Sequence, residues 1–423
     1  MRPSVLPGVN VQRAALWARA STLLLALVVF VGVITGAGDA HATPWMSLQA
    51  GTPCATCHTN VQGGGGRTEI GWGNSLYTGM FTYDQLGFNW LANRETNEIV
   101  PGYVSFGYDV RAQSARIGAP SITFTNEGEI EATLPERELF LMQMQPYLTV
   151  SPHETIDIYG TWNAGRGTFQ DGEACWTPYP GMSCFEAMAI VRPHEKAPLV
   201  RVGMIQPSIG IRHDDHTMLL RQDASRERLP VIPANYAELG GELTYKPVYW
   251  FTADAGVYWA NNLADSVGDT TRVQDDDVAY SGRVTFAPLF GRQRNLRFST
   301  LMGASTYGAG DFRMDNLFAG IGWLNRGSLI LESAFLHYYG GTTPSGRNLS
   351  LMTNVQITPW FILTGRVEQA HAERDDASFD NLSFAGGFQF FPLPFFEIRP
   401  EYRHTTTDRY RSGQYTIQLH AFF

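Results

Sequence analysis

Five consecutive residues near the amino terminus, Cys54-Ala55-Thr56-Cys57-His58, form a C-x-x-C-H motif. Two thiols at this spacing can form thioethers with the two vinyl groups of one porphyrin, while the next residue offers an imidazole to the iron. The motif therefore predicts one covalent haem c, attached through Cys54 and Cys57, with His58 as an axial iron ligand. The alternative is a redox-active C-x-x-C pair, which is typical of a βαβ context rather than of the glycine-rich segment found here.

The sixth iron ligand is predicted to be Met80. Methionine opposite histidine is the common arrangement in cytochromes c, and Met80 follows the motif within the same short unit. Met46 is the rival, and Met80 could also be an ordinary packing residue. A unit of this size is too small for a robust core of its own, so the haem is expected to supply much of its buried apolar surface.

The segment that precedes the motif predicts export. Residues 1–42 contain a basic start, an apolar stretch from Leu23 to Ile34 and the small-x-small run Ala40-His41-Ala42, which together indicate a cleaved signal peptide. The mature chain is expected to begin at Thr43, and an uncleaved membrane anchor is the alternative. Export suits this chain because haem attachment to thiols and disulfide formation both belong to an oxidising compartment.

The composition argues against a nucleic-acid partner and favours β-structure. The chain has 31 basic against 40 acidic residues, a net charge of -9, whereas nucleic-acid-binding proteins carry basic surfaces. Aromatic residues make up 13% of the chain and glycines number 43, which is typical of strands joined by many turns. Beyond the signal segment, no apolar run approaches the length of a membrane helix, so a membrane-embedded form has to be a barrel.

Alternation of apolar and polar residues dominates the sequence after residue 99. Near the carboxyl terminus, Tyr415, Ile417 and Leu419 alternate with polar residues, as expected when one face of a strand meets lipid and the other meets water. A soluble β-sandwich would show a similar pattern. The final residue Phe423 and the aromatic residues near strand ends favour an outer-membrane barrel.

The candidate strands number about sixteen, and each is close to the length that a tilted membrane strand needs. Their connections alternate between short turns and longer loops, which indicates periplasmic turns and external loops. We therefore predict an all-β fold, a transmembrane antiparallel β-barrel over residues 99–423 in the bacterial outer membrane, preceded by a small haem domain over residues 43–98. The predicted strands begin near residues 101, 137, 154, 184, 198, 236, 249, 276, 294, 313, 328, 347, 359, 380, 394 and 412.

The second external loop is predicted to contain a disulfide. Cys175 and Cys184 are the cysteines outside the haem motif, and both fall in this loop or at its edge. A disulfide that closes such a short loop would stabilise the protein by about 3 kcal/mol. Two free thiols are the alternative.

The third external loop contains a candidate Fe(II) site, His213-Asp214-Asp215-His216. Imidazoles and carboxylates are ligands that divalent iron accepts. Adjacent residues on an extended chain point to opposite sides, however, which weakens the prediction of a common site. The alternative is a constriction loop folded into the lumen, in which these side chains pair with nearby arginines. Those arginines are Arg212, Arg221, Arg226 and Arg228.

An exported chain with one haem motif at Cys54, Cys57 and His58, followed by about sixteen strands that end in Phe423, resembles the fused cytochrome-porin family of outer-membrane iron oxidases. The resemblance covers nearly the whole mature chain and rests on the order of the two units. It implies that the haem domain lies in or against the barrel, accepts an electron from extracellular Fe(II) and passes it to a periplasmic c-type cytochrome.

Two other functions are compatible with the sequence. One is a solute-selective porin whose haem domain is a periplasmic appendage, and the other is outward electron transfer to an extracellular acceptor. A hydrocarbon layer about 25 Å tall separates the two faces of an outer-membrane barrel, so one redox centre can serve both faces only from within the lumen. A barrel of this strand number has room for a plug, which makes such a position possible.

Overall fold

The structure is a computed structural model. It describes residues 44–88, 94, 96–117, 121–124, 130–133, 138–194, 197–213, 215, 218–226, 229–269, 271–290, 298–323, 326–338, 344–374, 377–408 and 411–423. The predicted signal peptide at residues 1–42 and the predicted first mature residue, Thr43, lie outside this range. Asp214, His216 and Arg228 also lie outside the described residues.

Most of the described chain forms antiparallel strands. In chain order these are β1 (Glu98–Val100), β2 (Val104–Ile117), β3 (Ser121–Phe124), β4 (Ile130–Thr133), β5 (Glu138–His153), β6 (Ile156–Trp162), β7 (Phe185–Val191), β8 (Leu199–Ile205), β9 (Glu238–Val248), β10 (Phe251–Trp259), β11 (Val278–Phe286), β12 (Leu289–Phe290), β13 (Phe298–Ala309), β14 (Phe312–Trp323), β15 (Gly327–His337), β16 (Gly346–Thr358), β17 (Phe361–Arg374), β18 (Ala377–Leu393), β19 (Phe396–Thr407) and β20 (Arg411–Phe422).

Sixteen of these strands close a single barrel within the described part of the chain; the short strands β1, β3, β4 and β12 are additions to it. Successive barrel strands pair with one another, and β2 pairs with β20 to complete the ring. The predicted fold class is therefore confirmed. Every barrel strand begins within four residues of its predicted start, the largest difference being residue 294 predicted against Phe298 observed.

The outer wall of the barrel is apolar and its inner wall is polar. On β10, Val257 and Trp259 are 60% and 56% exposed, whereas Tyr258 between them is 2% exposed. On β9, Leu243 is 50% exposed and the neighbouring Glu242 is 2% exposed. Such an outer surface fits hydrocarbon and such an inner surface fits water, so the chain is a multi-pass barrel of the bacterial outer membrane. We call the end with the short turns, where β2 begins and β20 ends, the periplasmic end.

Four short α-helices accompany the strands in the described residues: α1 (Pro44–Ala50), α2 (Glu69–Ser75), α3 (Arg166–Gln170) and α4 (Asn261–Val267). Helix α2 begins where the Thr68 hydroxyl accepts a hydrogen bond from the Gly71 N–H at 3.2 Å, which caps the first turn. None of the described helices is long and apolar enough to cross a membrane.

Two segments occupy the barrel interior. The first consists of residues 44–88, which carry the C-x-x-C-H motif and which we call the N-terminal unit. The second consists of the described part of residues 206–237, between β8 and β9, which we call the lumen loop. Apolar side chains of both segments are buried together with inward-facing barrel residues in one cluster that includes Trp72, Ile211 and Phe395.

Candidate functional site

The N-terminal unit is fastened to the inner wall of the barrel at several points. Near the periplasmic end, the Ser299 hydroxyl of β13 donates a hydrogen bond to the Leu48 carbonyl. Further into the lumen, the Tyr159 hydroxyl of β6 accepts a hydrogen bond from the Gly66 N–H at 3.3 Å. The C-x-x-C-H motif lies between these two points in the sequence, so it is enclosed by the barrel.

The motif itself forms one compact turn. The N–H groups of Cys57 and His58 both donate to the Cys54 carbonyl, at 3.1 and 2.9 Å. The thiols of Cys54 and Cys57 are half-buried and are not joined to each other, and His58 is 4% exposed. Burial raises the pKa of each thiol, an effect that nearby Arg283 partly opposes at Cys54. Two free thiols and an imidazole on one turn are the side chains that covalent attachment and iron ligation of a haem would require.

The glycine run that follows the motif has a fitted shape. Gly63, Gly64 and Gly65 have φ values of 89°, 74° and 56°, in the left-handed region that favours glycine. A Cβ atom on Gly65 would collide with the hydroxyl oxygen of Tyr159, and one on Gly64 would lie 2.8 Å from the guanidinium carbon of Arg212. The glycine run therefore lets the backbone pass closer to Tyr159 and Arg212 than residues with a Cβ atom could.

We expect Gly65→Ala to displace the turn that carries the motif, because the added methyl group meets both an unfavourable φ and the Tyr159 hydroxyl. A combined loss of about 1–3 kcal/mol in the free energy of unfolding is expected. Thermal unfolding of the purified protein measures it. Tyr159→Phe removes the nearest colliding atom and should partly rescue the variant.

The matched control for this prediction is Gly73→Ala. Gly73 lies in α2, and a Cβ atom added there would have no neighbouring atom within 4 Å, so alanine should be neutral or slightly stabilising. Equal destabilisation by Gly65→Ala and Gly73→Ala would show that the close approach to Tyr159 does not matter.

A buried polar network joins the N-terminal unit to strands β8, β9 and β10 of the wall. Arg201 of β8 is fully buried, and its guanidinium donates to the Asn60 side-chain oxygen at 2.9 Å and to the Glu242 carboxylate. Glu242 also accepts from the Ser208 N–H at 2.9 Å and from the Tyr258 hydroxyl at 2.6 Å. The network holds a positive charge beside the segment that follows the motif histidine.

Arg201 is not among the site residues that the sequence predicts. The sequence feature that could have indicated its role is an arginine between two valines in a short strand, Val200-Arg201-Val202. Val202 is 55% exposed on the outer wall, which forces Arg201 inward. Alternation alone could have predicted that orientation, but it could not have predicted Asn60 as the partner.

An aromatic cluster closes the periplasmic end. Trp72 of α2 is fully buried, with its ring centroid 5.3 Å from that of Phe395 and 5.9 Å from that of the final residue, Phe423. Arg67 lies over the ring of Phe422, with its guanidinium carbon 4.4 Å from the ring centroid. The barrel thus supplies buried apolar surface that the sequence alone would assign largely to the haem.

The two candidate methionines lie in different surroundings. Met80 is 43% exposed, and its N–H donates to the Phe391 carbonyl at 2.8 Å beside the turn between β18 and β19. Met46 is 5% exposed and belongs to the same buried cluster as Trp72. Met46 is therefore the methionine that is buried, as His58 is. Met80 as the sixth ligand stays a prediction.

His213 and Asp215, the described residues of the predicted Fe(II) segment, face the inner wall of the barrel. His213 Nε2 is 2.9 Å from a carboxylate oxygen of Glu332 on β15, and Asp215 is 2.8 Å from a guanidinium nitrogen of Arg366 on β17. These contacts agree with the alternative prediction, a constriction loop folded into the lumen. The partners, however, are barrel residues and not the nearby arginines that this alternative named. Among the described residues, no group of three or more histidine, cysteine, aspartate or glutamate side chains is arranged to hold a metal ion.

The arginines predicted to pair with this segment have other contacts. Arg212 is 3.3 Å from the Glu186 carboxylate. Arg221 donates to the Ile211 carbonyl at 2.6 Å, and Arg226 donates to carbonyl oxygens near the end of α4. These three arginines therefore help to fix the lumen loop, while Arg228 lies outside the described residues.

Three inward-facing glutamates fix the backbone of the lumen loop. Besides the bond from Ser208 to Glu242, the Ile211 N–H donates to Glu332 at 3.0 Å and the Leu219 N–H donates to Glu368 at 3.0 Å. These glutamates are 1–2% exposed. Hydrogen bonds to buried carboxylates are strong, so the loop has a defined position across the lumen.

The second external loop carries a disulfide between Cys175 and Cys184, with a Cα–Cα distance of 5.4 Å. This loop forms part of a cavity of about 490 Å³ between the N-terminal unit and the wall made by β2, β5 and β16 to β20. Trp45 of the N-terminal unit and Trp176 of the loop both line the cavity.

The charged side chains of this cavity wall are largely paired. Arg111 is 3.0 Å from Asp109, and Arg403 is 2.8 Å from Glu401. His420 lies 3.0 Å from Glu397. A cavity of this size with paired charges and two indole rings could admit a small polar solute.

Comparison with known proteins shows the fold alone. No protein-family model and no curated protein matches the sequence. The solved structure of Pseudomonas putida OprB is similar over 82% of this chain and 98% of that chain, with 10% sequence identity and a TM-score of 0.52. The structure of Pseudomonas aeruginosa OpdL is similar over 76% of this chain and 98% of that chain, with 12% sequence identity and a TM-score of 0.46. A loop-deletion mutant of Vibrio cholerae OmpT, at 8% identity, covers 76% and 100% with a TM-score of 0.46.

Proposed function

We propose that this porin-like barrel conducts electrons across the outer membrane through one haem c held by Cys54, Cys57 and His58. The observation that carries the proposal is that the segment with the haem motif lies inside the lumen, bound to Tyr159 and Arg201, instead of hanging below the barrel as an appendage. A redox centre within the lumen, and not one below the barrel, can serve both faces of a hydrocarbon layer about 25 Å tall.

The chain's own residues would hold and tune this centre. When bound, the haem supplies a single one-electron redox couple. Cys54 and Cys57 would attach the haem covalently, and His58 together with Met80 or the more deeply buried Met46 would bind its iron. The buried guanidinium of Arg201 would balance the negative charge of Glu242 close to this centre; without it, the uncompensated carboxylate would disfavour the reduced form.

The donor that we propose is extracellular Fe(II), and the acceptor is a periplasmic c-type cytochrome. Asp275 and Asp276 are exposed between α4 and β11, where they would raise the local concentration of a divalent cation. His213 and Asp215 contact the inner wall of the barrel, and the predicted His213-Asp214-Asp215-His216 site stays a candidate for a second Fe(II) contact.

Replacing both Cys54 and Cys57 with serine is expected to abolish covalent haem, because no thioether can form. Haem staining after denaturing electrophoresis measures the loss. The control is Cys175→Ser with Cys184→Ser, which removes the disulfide and should leave the haem stain intact. Covalent haem retained in the Cys54/Cys57 variant would refute the assignment.

Fe(II) added to intact cells is expected to reduce the haem, since the donor can reach only the outside. Absorption spectra of the cells measure the reduction. Reduction by a periplasmic donor but not by external Fe(II) would indicate outward transfer or a porin with an inactive haem.

The second candidate is a solute-selective porin, and two observations favour it. The similarity to OprB shows a barrel fold that porins use, and the cavity of about 490 Å³ leaves part of the lumen unfilled. Swelling of vesicles that contain the protein separates the candidates. Swelling in small polar solutes without haem reduction by Fe(II) would establish the porin, whereas reduction without swelling would establish the electron conduit.

A further inference from the structure

One sector of the barrel wall, strands β14 to β18, carries charged side chains near its external end. One residue from each strand lies directly opposite one on the next strand, so that the five form a continuous row. Residues that pair directly in antiparallel strands point to the same face of the sheet. We call this set the charged row, which in strand order is Asp315, Phe335, Arg347, His371 and Asp380.

The charged row faces outward and not into the lumen. Leu317, Leu349 and Leu382 lie two residues from members of the row on the same strands, and they are 54%, 44% and 38% exposed on the outer wall. Alternate residues of a strand share a face, so the row shares the outer face with these leucines. The residues between, such as Asn316 and Glu332, are 1% exposed in the interior.

The outer wall becomes fully apolar toward the middle of the membrane. Four residues from the charged row along each strand lies another row of directly paired residues, and each of its members is apolar. In strand order these are Ala319, Leu331, Leu351, Val367 and Phe384. The change from apolar to charged side chains therefore occurs within about four residues of strand, as it does where hydrocarbon meets headgroups.

The height of the charged row agrees with this border. Trp323, at the periplasmic end of β14, pairs with Phe298 and marks the opposite interface. Asp315 is eight residues away on the same strand, which is about 26 Å along the strand and about 20 Å across the membrane at a tilt of about 40°. The apolar band of an outer-membrane barrel is about 25 Å tall, so the row meets the headgroups of the external leaflet.

Other strands have an apolar external end at the outer wall. Trp162 of β6 pairs directly with Phe185 of β7, and Trp259 of β10 pairs directly with Val278 of β11. These four side chains are 38%, 47%, 56% and 60% exposed. The charged row is therefore a feature of one side of the barrel and not of its whole external end.

The two carboxylates of the charged row have partners on the same face. Asp315 lies 3.0 Å from Arg313 and 3.2 Å from His337. Asp380 lies 2.9 Å from His371. These contacts offset negative charge at both ends of the row and leave its middle position, on β16, as the place for an added anion.

Arg347 occupies that middle position. Its side chain is exposed, and no other described residue forms an ion pair with its guanidinium. A cation beside the hydrocarbon layer is costly unless an anion accompanies it. The planar guanidinium donates two parallel hydrogen bonds to a phosphate group, which is the anion that lipid headgroups supply.

We propose that the β14–β18 sector binds a phosphorylated glycolipid of the external leaflet, with Arg347 paired to a headgroup phosphate and the acyl chains on the apolar rows below. The sector thereby selects a lipid by its phosphate, since the apolar part of the wall accepts any acyl chain. This inference requires the membrane-embedded barrel and not the haem, so it goes beyond the proposed function.

The test measures binding of lipid A to the purified protein in a neutral detergent by native mass spectrometry. Lipid A with two phosphates should bind about tenfold more tightly than the same lipid A after removal of its phosphates. Arg347→Gln should remove most of that difference. Arg347→Lys should retain part of it, because the charge stays while the paired hydrogen bonds are lost.

The matched control is Lys246→Gln, which removes an exposed cation at the periplasmic end of β9 and should leave the affinity unchanged. Thermal unfolding without lipid should be the same for Arg347→Gln and the unmodified protein, because the side chain is exposed. Equal affinity for the two forms of lipid A, or equal loss of affinity in the Lys246 and Arg347 variants, would overturn the proposal.

Two other occupants of the sector are distinguished by the same measurement. Millimolar inorganic phosphate should not displace lipid A, because it offers no acyl chains to the apolar rows; displacement would show a site for free anions and would overturn the lipid assignment. A dimer in the lipid-free spectrum that Arg347→Gln abolishes would show that a second copy of the chain covers the sector, and would overturn the proposal as well.

Discussion

Trp72→Ala is expected to release the N-terminal unit from the barrel. The indole is fully buried between Phe395 and Phe423, and truncation of a buried aromatic side chain costs about 3–5 kcal/mol. The unit is short and depends on the barrel for its apolar contacts, so most of this cost falls on docking of the unit. Limited proteolysis should cut the variant within residues 44–88 and leave the barrel intact.

Tyr77→Ala is the matched control, because Tyr77 lies in the same unit but is 76% exposed. Its effect on stability should be within about 0.5 kcal/mol. If the Trp72 variant resists protease as well as the Tyr77 variant does, the aromatic cluster does not hold the unit in place.

Arg201→Met is expected to have the second largest effect. The substitution leaves the carboxylate of Glu242 buried at 2% exposure without its cation, and breaking a buried ion pair in this way costs about 3–5 kcal/mol. It also removes the hydrogen bond to Asn60. We expect a lower melting temperature by calorimetry and, in the haem-loaded protein, a lower reduction potential because a nearby positive charge is lost.

The double variant Arg201→Met with Glu242→Gln should recover much of the stability and much of the potential, since the two removed charges are opposite and no unpaired charge stays buried. The comparison pair is Arg192 with Asp157, whose atoms are 2.5 Å apart but in which the arginine side chain is 41% exposed. Disrupting that pair should cost about 0–1 kcal/mol. Similar costs at the two pairs would mean that burial does not set the strength of the Arg201 contact.

The barrel could be predicted from sequence because its strands separate two very different surroundings. Alternation such as Tyr415, Ile417 and Leu419 against polar neighbours is imposed residue by residue by lipid and lumen. Each strand also pairs with its neighbour in the chain, so local pattern and overall topology agree. Apart from the seam between β2 and β20, the wall therefore needs no pairing between strands that are distant in the chain.

The interior could not be predicted in the same way. Nothing in the local sequence around His213 shows whether that loop faces outward or folds inward; the outcome depends on Glu332 and Arg366, which lie far away in the chain. The contact between Arg201 and Asn60 spans 141 residues. Phe423 indicated a barrel by its position, but its packing against Trp72 requires knowledge of where the N-terminal unit lies.

Enclosure of the N-terminal unit has a consequence for biogenesis. The ring closes when β2, which follows the unit in the chain, pairs with β20, whose last residues contact Trp72 and Arg67. Once that seam forms, Cys54 and Cys57 lie between the lumen loop and the aromatic cluster. We therefore expect any group joined to these half-buried sulfurs to be attached while the polypeptide is still open in the periplasm, so that cofactor attachment precedes membrane assembly.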